Sequence, residues 1–281
     1  MKLSTKIIMG LAIGLFAVPM LVASYLVRIN RVDAKKYNAD VEQEVSKPGA
    51  KDVYYRSFPL AAFDKLYIVG TNASGVGLYW VKSDKFMVKV NKSQADFVKA
   101  NVDQSGNLTL DLLSGGDGGY NSIYIFSPDL RVLKLKNAGI NELSARLNEL
   151  TVVGDSVEVF SLAEKSVINT LNLNLTNSTI DDLGGTDSKG NSLVGRLFAN
   201  TTNSVLGLPR TNYQSADIVA NNSEVYFNRK GPEAKVGLLN IKTEGKSSVR
   251  LDSLQWGTLN GNLSNDTKID LPVHALRSLI K

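Results

Sequence analysis

Three aspartates in one region of the chain have the side chains and spacing that could support chemistry. Asp181 and Asp182 are adjacent and follow a segment expected to be an inward-facing strand, and Asp187 comes shortly after them. Two carboxyl groups held close together can act as the acid and base of a glycoside hydrolase, or they can bind a cation. Aspartates are also common at turns between strands, where they accept backbone hydrogen bonds. We favour this structural role and keep a carbohydrate-active enzyme that uses these aspartates as the alternative.

The composition excludes several classes of catalytic and metal site that depend on histidine or cysteine. The chain has one histidine, His274, and no cysteine. It therefore has no histidine-based triad, multi-histidine metal site, thiolate ligand, cysteine nucleophile or disulfide. We expect no catalytic residue, no metal and no cofactor. Two aromatic residues, Tyr213 and Trp256, complete the candidates for a ligand-binding face, because exposed aromatic rings stack on ligands.

The basic charge of the chain does not indicate a nucleic-acid partner. The net charge is +5 over 281 residues. Residues 1–50 carry seven Lys or Arg against four acidic residues, and the other 231 residues carry 25 against 23. A nucleic-acid-binding domain concentrates basic residues on one face, and the repeats described below show no such stripe.

Residues 7–27 form an uncharged segment that contains Pro19. Its 21 residues match the ~20 that a helix needs to cross the hydrocarbon core. We predict an uncleaved anchor, with a cleaved secretory signal as the alternative. Lys and Arg flank both ends, so charge alone leaves the orientation open. The predicted organisation is a tail over residues 1–6, an anchor over 7–27, a linker over 28–57 and one domain over 58–281.

The second half of the chain repeats a short pattern: a polar pair followed by alternating apolar residues. The second member of each pair is Ser or Thr, at positions 156, 178, 204, 223, 247 and 267. The gaps of 22, 26, 19, 24 and 20 residues have a mean of about 22. Self-similarity on this scale is typical of solenoids, in which each repeat buries its apolar side chains against its neighbours.

These repeats predict an all-β fold, a right-handed parallel β-helix of about five to seven coils preceded by one transmembrane helix. The polar pairs are predicted to form corners and the alternating tails to form the core. An antiparallel sandwich or barrel is the alternative. Upstream of the repeats, residues 97–102 and 108–112 flank a turn-forming stretch and predict a hairpin.

Several segments of the chain resemble the GIN-domain family. These are Phe63-Asp64-Lys65-Leu66-Tyr67-Ile68-Val69-Gly70, Phe97-Val98-Lys99-Ala100-Asn101-Val102 and Gly106-Asn107-Leu108-Thr109-Leu110. The likeness covers roughly residues 58–275 and departs from the family in the region 181–191 and in the few glycines of the later coils. The family is described as auto-transporter adhesin head domains of Bacteroidetes-type bacteria. The resemblance implies an exported β-helical domain behind an anchor or export signal, with no catalytic residues to carry over.

Together these features predict a membrane-anchored, non-enzymatic domain of the bacterial cell envelope with an adhesin or binding role, facing the extracytoplasmic side. Its expected partners are the lipid bilayer, through residues 7–27, and a protein or glycan ligand that the sequence does not identify. Two other hypotheses stay open: a β-helix enzyme that acts on carbohydrate through Asp181 and Asp182, and an envelope sensing or regulatory component.

Overall fold

The computed structural model describes residues 3–30, 34–70, 75–113, 121–184, 186, 192–228, 234–251 and 254–271. The chain divides into two compact units, residues 1–44 and 45–281. Asp187 and His274 lie outside the described residues, as does the glycine-rich stretch 114–119.

The first unit contains an apolar helix, α1 (Leu3–Asn30), which includes Pro19. Its segment Leu3–Arg28 has 26 residues and a mean hydropathy of 2.3, so it is long and apolar enough to cross a membrane. An N-terminal helix of this kind serves as an anchor or as a signal sequence, and it contains the segment predicted from the sequence. A second helix, α2 (Ala34–Ser46), covers part of the segment that we predicted to be a linker.

The second unit consists of β-strands in three sheets and one 3-10 helix at Lys92–Phe97. Sheet A contains β1 (Tyr55–Pro59), β3 (Gly75–Lys82), β4 (Met87–Asn91), β7 (Asn121–Ser127), β9 (Gly139–Ser144) and β11 (Phe160–Leu162). Sheet B contains β2 (Lys65–Val69), β5 (Val98–Val102), β6 (Asn107–Leu112), β8 (Val132–Lys136), β10 (Arg146–Asp155), β12 (Val167–Thr176), β14 (Val194–Thr202), β16 (Tyr213–Asn221), β18 (Lys235–Glu244) and β20 (Gln255–Asn262). Sheet C contains β13 (Thr179–Ile180), β15 (Val205–Leu208), β17 (Glu224–Phe227), β19 (Ser248–Arg250) and β21 (Lys268–Asp270).

From β10 onward the chain forms a β-solenoid of about five turns. The long strands of sheet B pair in parallel in the order β10, β12, β14, β16, β18 and β20, and the short strands of sheet C pair in parallel beside them. The predicted parallel β-helix is therefore confirmed. The longest coil has 26 residues between Ser178 and Ser204, and the additional residues lie between β13 and β14.

Equivalent apolar side chains stack from coil to coil to form the core. One inward row of sheet B contains Leu150, Leu171, Leu197, Ala216 and Leu239, each of them fully buried. A single coil has too few neighbours to cover such side chains, so the stacking of coils supplies the burial that stabilises each one.

In six successive connections, from β8–β9 to β18–β19, the corner between the long strand and the following short strand contains one residue with left-handed backbone geometry. The φ angles are 49° at Asn137, 57° at Ser156, 50° at Asn177, 49° at Asn203, 47° at Asn222 and 59° at Gly245. Asn and Gly adopt this region more readily than other residues do. The polar pairs therefore form the corners, as predicted. The first pair is shifted by one residue, because Ser156 occupies the left-handed position and Val157 the position that later coils give to serine.

The second residue of each corner forms a ladder of buried serines. The Ser178 hydroxyl donates to the Thr176 carbonyl (2.8 Å) and accepts the backbone N–H of Val157 (3.1 Å). Ser204 repeats this pattern, because its hydroxyl donates to the Thr202 carbonyl (2.7 Å) and accepts the N–H of Ser178 (3.0 Å). Ser223 and Ser247 continue the ladder. Each hydroxyl thus satisfies one buried backbone N–H and one backbone carbonyl.

The N-terminal part of the second unit is a mixed structure. The predicted hairpin is present as antiparallel β5 and β6. However, β2 lies between β6 and β8 in sheet B, and β3 lies between β7 and β9 in sheet A. In each of these sheets, β2 or β3 therefore lies between two strands that come later in the chain. The order of the strands in the sheets thus differs from their order along the chain.

The serine ladder yields a prediction about stability. Replacing Ser204→Ala leaves the buried N–H of Ser178 and the Thr202 carbonyl without this partner, so we expect a loss of about 1–3 kcal/mol in unfolding free energy. Ser215→Ala, at a half-exposed position of β16, is the matched control and should change little. Urea unfolding of the full chain measures both. Equal unfolding midpoints for the two variants would contradict a stabilising ladder.

Candidate functional site

The residues that we predicted as a ligand face differ in their exposure to solvent. Asp181 and Asp182 are exposed directly after β13, whereas Tyr213 is only 3% exposed. The Tyr213 ring packs edge-on against Phe227 with centroids 6.4 Å apart. Burial raises the pKa of its phenol, and Asp182 adds to this effect. Trp256 is half-buried and packs against the core, opposite Val236. Both aromatics therefore contribute to the core, and Asp187 lies outside the described residues.

Asp182 has a local structural role. Its Oδ1 accepts the backbone N–H of Gly184 at 3.0 Å and so closes the turn after β13. Gly184 has a φ of 69°, and a Cβ there would lie 2.6 Å from the Leu162 carbonyl oxygen. The aspartate and the glycine together fix the exit of the chain from sheet C.

Asp181 begins a row of neighbouring positions on sheet C. We name this row, Asp181, Gly207, Tyr226, Arg250 and Asp270, the C-face row. The last four are register partners on successive strands. Asp181 follows Ile180, the partner of Leu206, and so lies beside Gly207. The Tyr226 hydroxyl donates to the carbonyl (3.1 Å) and the Oδ1 (3.4 Å) of Asp181. This hydrogen bond passes over Gly207. A Cβ at position 207 would overlap the Asp181 carbonyl oxygen and lie 2.8 Å from Tyr226 Cζ.

Arg250 of the C-face row contacts Tyr226 of the same row and the neighbouring Glu224. The Arg250 guanidinium lies 4.6 Å from the Tyr226 ring centroid, and its Nη2 is 2.6 Å from Glu224 Oε1. Partial burial and the neighbouring Asp181 raise the pKa of Tyr226, while Arg250 opposes this shift. The phenol therefore stays protonated near neutral pH and keeps its hydrogen bond. Within the described ranges, no group of three His, Cys, Asp or Glu side chains is arranged to hold a metal ion.

A different surface has polar groups that remain available. We name the outward side of strands β10 to β20 in sheet B the B face. One register row of the B face contains Thr151, Asn172, Phe198, Asp217, Asn240 and Asn260.

Hydrogen bonds run along this row on both sides of Phe198 and stop at its ring. On one side, the Asn172 amide donates to Thr151 Oγ1 of the row at 3.4 Å and to Glu149 Oε1, beside the row, at 2.9 Å. On the other, the Asn240 amide donates to Asp217 Oδ1, and the Asn260 amide donates to Asn240 Oδ1 at 2.9 Å.

Phe198 is 41% exposed and differs from the other outward aromatic residues of the strands. Tyr67 is covered by the Lys134 ammonium at 4.6 Å, Tyr226 is covered by Arg250, and Tyr79 stacks on Tyr124 at 4.8 Å. In the part of the chain that the structure describes, the Phe198 ring has no cation or ring partner. The sequence analysis missed this residue, and the only signal for it was an aromatic between the polar residues Arg196 and Asn200 in a strand-like run.

No protein-family model and no curated protein matches the chain. Solved structures to which the chain is similar include a "putative adhesin" from Parabacteroides merdae, 13% identical with a TM-score of 0.46, covering 77% of this chain and 94% of that one. A "putative adhesin" from Bacteroides fragilis is 15% identical with a TM-score of 0.40, covering 79% and 97%. A "putative lipid binding protein" from Parabacteroides distasonis is 12% identical with a TM-score of 0.35, covering 77% and 92%.

The close packing of the Tyr226 ring and the Asp181 backbone around Gly207 yields a prediction. A Gly207→Ala substitution forces the Tyr226 ring and the Asp181 backbone apart, so we expect a loss of about 1–3 kcal/mol in unfolding free energy. Gly261→Ala is the control, because a Cβ there would have no neighbour closer than 3.8 Å. Denaturant unfolding compares the two variants. If Gly207→Ala is as stable as Gly261→Ala, the close packing of this row is wrong.

Proposed function

We propose that the chain is a non-enzymatic binding domain of the bacterial cell envelope, held at the membrane by α1, with its solenoid on the extracytoplasmic side. The observation that carries this proposal is the B face. It is a surface of six parallel strands with polar side chains and, among the residues that the structure describes, the uncovered ring of Phe198. Solenoids typically bind through extended surfaces of this kind.

The alternative of a carbohydrate-active enzyme lacks support from the positions of the aspartates. A glycoside hydrolase needs two carboxyl groups that face a common substrate. Here Asp182 Oδ1 accepts a backbone N–H in its own turn, while Asp181 accepts the Tyr226 hydroxyl two coils away. The two carboxylates thus have separate structural partners. The GIN-domain resemblance, which implies an adhesin head domain without catalytic residues, is consistent with the proposal.

The absence of turnover can be tested with the double variant Asp181→Asn/Asp182→Asn. We expect no release of reducing ends from a panel of polysaccharides by the wild-type chain, and none by the variant. Circular dichroism checks that the variant keeps its fold. Turnover by the wild type that disappears in a folded variant would refute a binding-only domain.

The side of the membrane can be tested by cysteine labelling, because the chain has no cysteine of its own. Thr258→Cys places a thiol at an exposed position of β20, and Ser4→Cys places one near the start of α1. In spheroplasts of a bacterial host, a membrane-impermeant maleimide should label the first variant and spare the second. Labelling of Thr258→Cys only after lysis would place the solenoid in the cytoplasm and contradict the proposal. Loss of the Ser4→Cys thiol from the mature chain would instead identify α1 as a cleaved signal.

A further inference from the structure

We infer that the B face around Phe198 binds a neutral glycan, with one sugar ring stacked on the phenyl ring; this inference rests on the binding role proposed above. The site is formed by nine outward side chains of three adjacent strands, which we name the Phe198 patch. They are Thr170, Asn172 and Asn174 of β12, Arg196, Phe198 and Asn200 of β14, and Ser215, Asp217 and Val219 of β16.

The charge of the Phe198 patch favours a neutral ligand. Arg196 is its only cation and Asp217 its only anion, and the remaining side chains are amides, hydroxyls and two apolar groups. An anionic polymer would require a surplus of Lys or Arg to neutralise it. Amide and hydroxyl groups, in contrast, match the alternating donors and acceptors of a sugar.

Two hydrogen-bond acceptors flank the Phe198 ring and remain available. The Asn172 amide nitrogen donates away from the ring, to Glu149 Oε1 (2.9 Å) and Thr151 Oγ1 (3.4 Å). Its carbonyl oxygen has no recorded partner in the described structure. Asp217 Oδ1 accepts from Asn240 on the far side, and its Oδ2 likewise has no recorded partner. A ligand above the ring therefore meets one free acceptor on each side.

The spacing of these groups suits a six-membered sugar ring. Neighbouring strands lie about 4.8 Å apart, so the strands of Asn172 and Asp217 are roughly 10 Å apart with the phenyl ring between them. A sugar ring presents an apolar C–H face to the aromatic ring and hydroxyl donors around its edge. A lipid chain or an apolar peptide side chain would cover the same ring, but it would desolvate the two flanking acceptors without a hydrogen bond, which is unfavourable.

The sheet also provides room for more than one sugar residue. The row continues through Asn240 and Asn260 on β18 and β20, and all of these strands are parallel and in register. Outward groups on the B face therefore recur at the strand spacing along the solenoid axis. A linear oligosaccharide that follows this axis contacts a new polar group at each strand, whereas a single monosaccharide uses only the Phe198 patch.

The test measures binding of neutral oligosaccharides to the full chain in lipid nanodiscs, so that no sugar-headed detergent competes. The probes are cello-, xylo-, manno- and chito-oligosaccharides of four to six residues, and the readout is isothermal titration calorimetry. We expect at least one of them to bind the wild type. Phe198→Ala should weaken this binding about tenfold or more, because it removes the stacking platform, and Phe198→Trp should preserve it.

Leu238→Ala is the matched control, because Leu238 is also an exposed apolar side chain of the B face, at 36% exposure, and lies outside the Phe198 patch. Its affinity should equal that of the wild type, and thermal unfolding should show that both alanine variants are folded. The inference is overturned if no neutral oligosaccharide binds the wild type, if Phe198→Ala binds as tightly as the wild type, or if only anionic polysaccharides bind. The labelling assay involves no glycan, and the turnover assay measures cleavage rather than affinity, so a failure here is distinguishable from a failure of the proposed function.

Discussion

The left-handed corner is the constraint on which the solenoid depends. Six successive coils turn from the long strand to the short strand through one residue of positive φ, and the first or second residue after it is buried, where water cannot satisfy its backbone. The stacked serines supply the missing hydrogen bonds by connecting each corner to the next. Because both strands of a coil leave from this point, the corner fixes the register of sheet B and sheet C together.

This arrangement leaves few polar residues of the repeat free for function. The corner asparagines are held by their backbone geometry, the serines by the ladder, and the inward residues by the core. Insertions are accommodated on the return path from the short strand to the next long strand, as between β13 and β14. The residues that can change without loss of the fold therefore lie mainly at the outward positions of the strands and in these return segments.

The sequence was sufficient to predict the coil period, the corners and the core, since these depend on residue types at regular spacing. Ser156 shows the limit of that method: Asp155-Ser156 resembles the later polar pairs, yet the backbone geometry assigns Ser156 to the position of Asn177. The insertion of β2 and β3 between later strands was also not predictable, because it depends on long-range pairing rather than on local pattern.

The burial of Tyr213, one of the predicted site residues, was not predictable for a related reason. Each long strand has two consecutive outward residues near its start, such as Asn148 and Glu149 in β10 or Gly237 and Leu238 in β18, and this breaks the two-residue alternation. The alternation pattern after the break therefore does not predict whether a residue before the break points inward or outward. Tyr213 lies upstream of the break in β16 and points inward, whereas Phe198 lies downstream of the break in β14 and points outward.

The two outward surfaces differ in whether their aromatic ring is covered. In the C-face row, the Tyr226 ring is covered by Arg250, which pairs with the neighbouring Glu224, and the Tyr226 phenol donates to Asp181. On the B face the same kind of row is interrupted, because phenylalanine has no polar group with which to continue the hydrogen bonds. The interruption leaves an apolar surface between two unused acceptors. A row that served stability alone would gain from an asparagine at this position, which would join the two halves of the ladder. The phenylalanine is therefore better explained by a ligand that supplies the missing donors than by the fold.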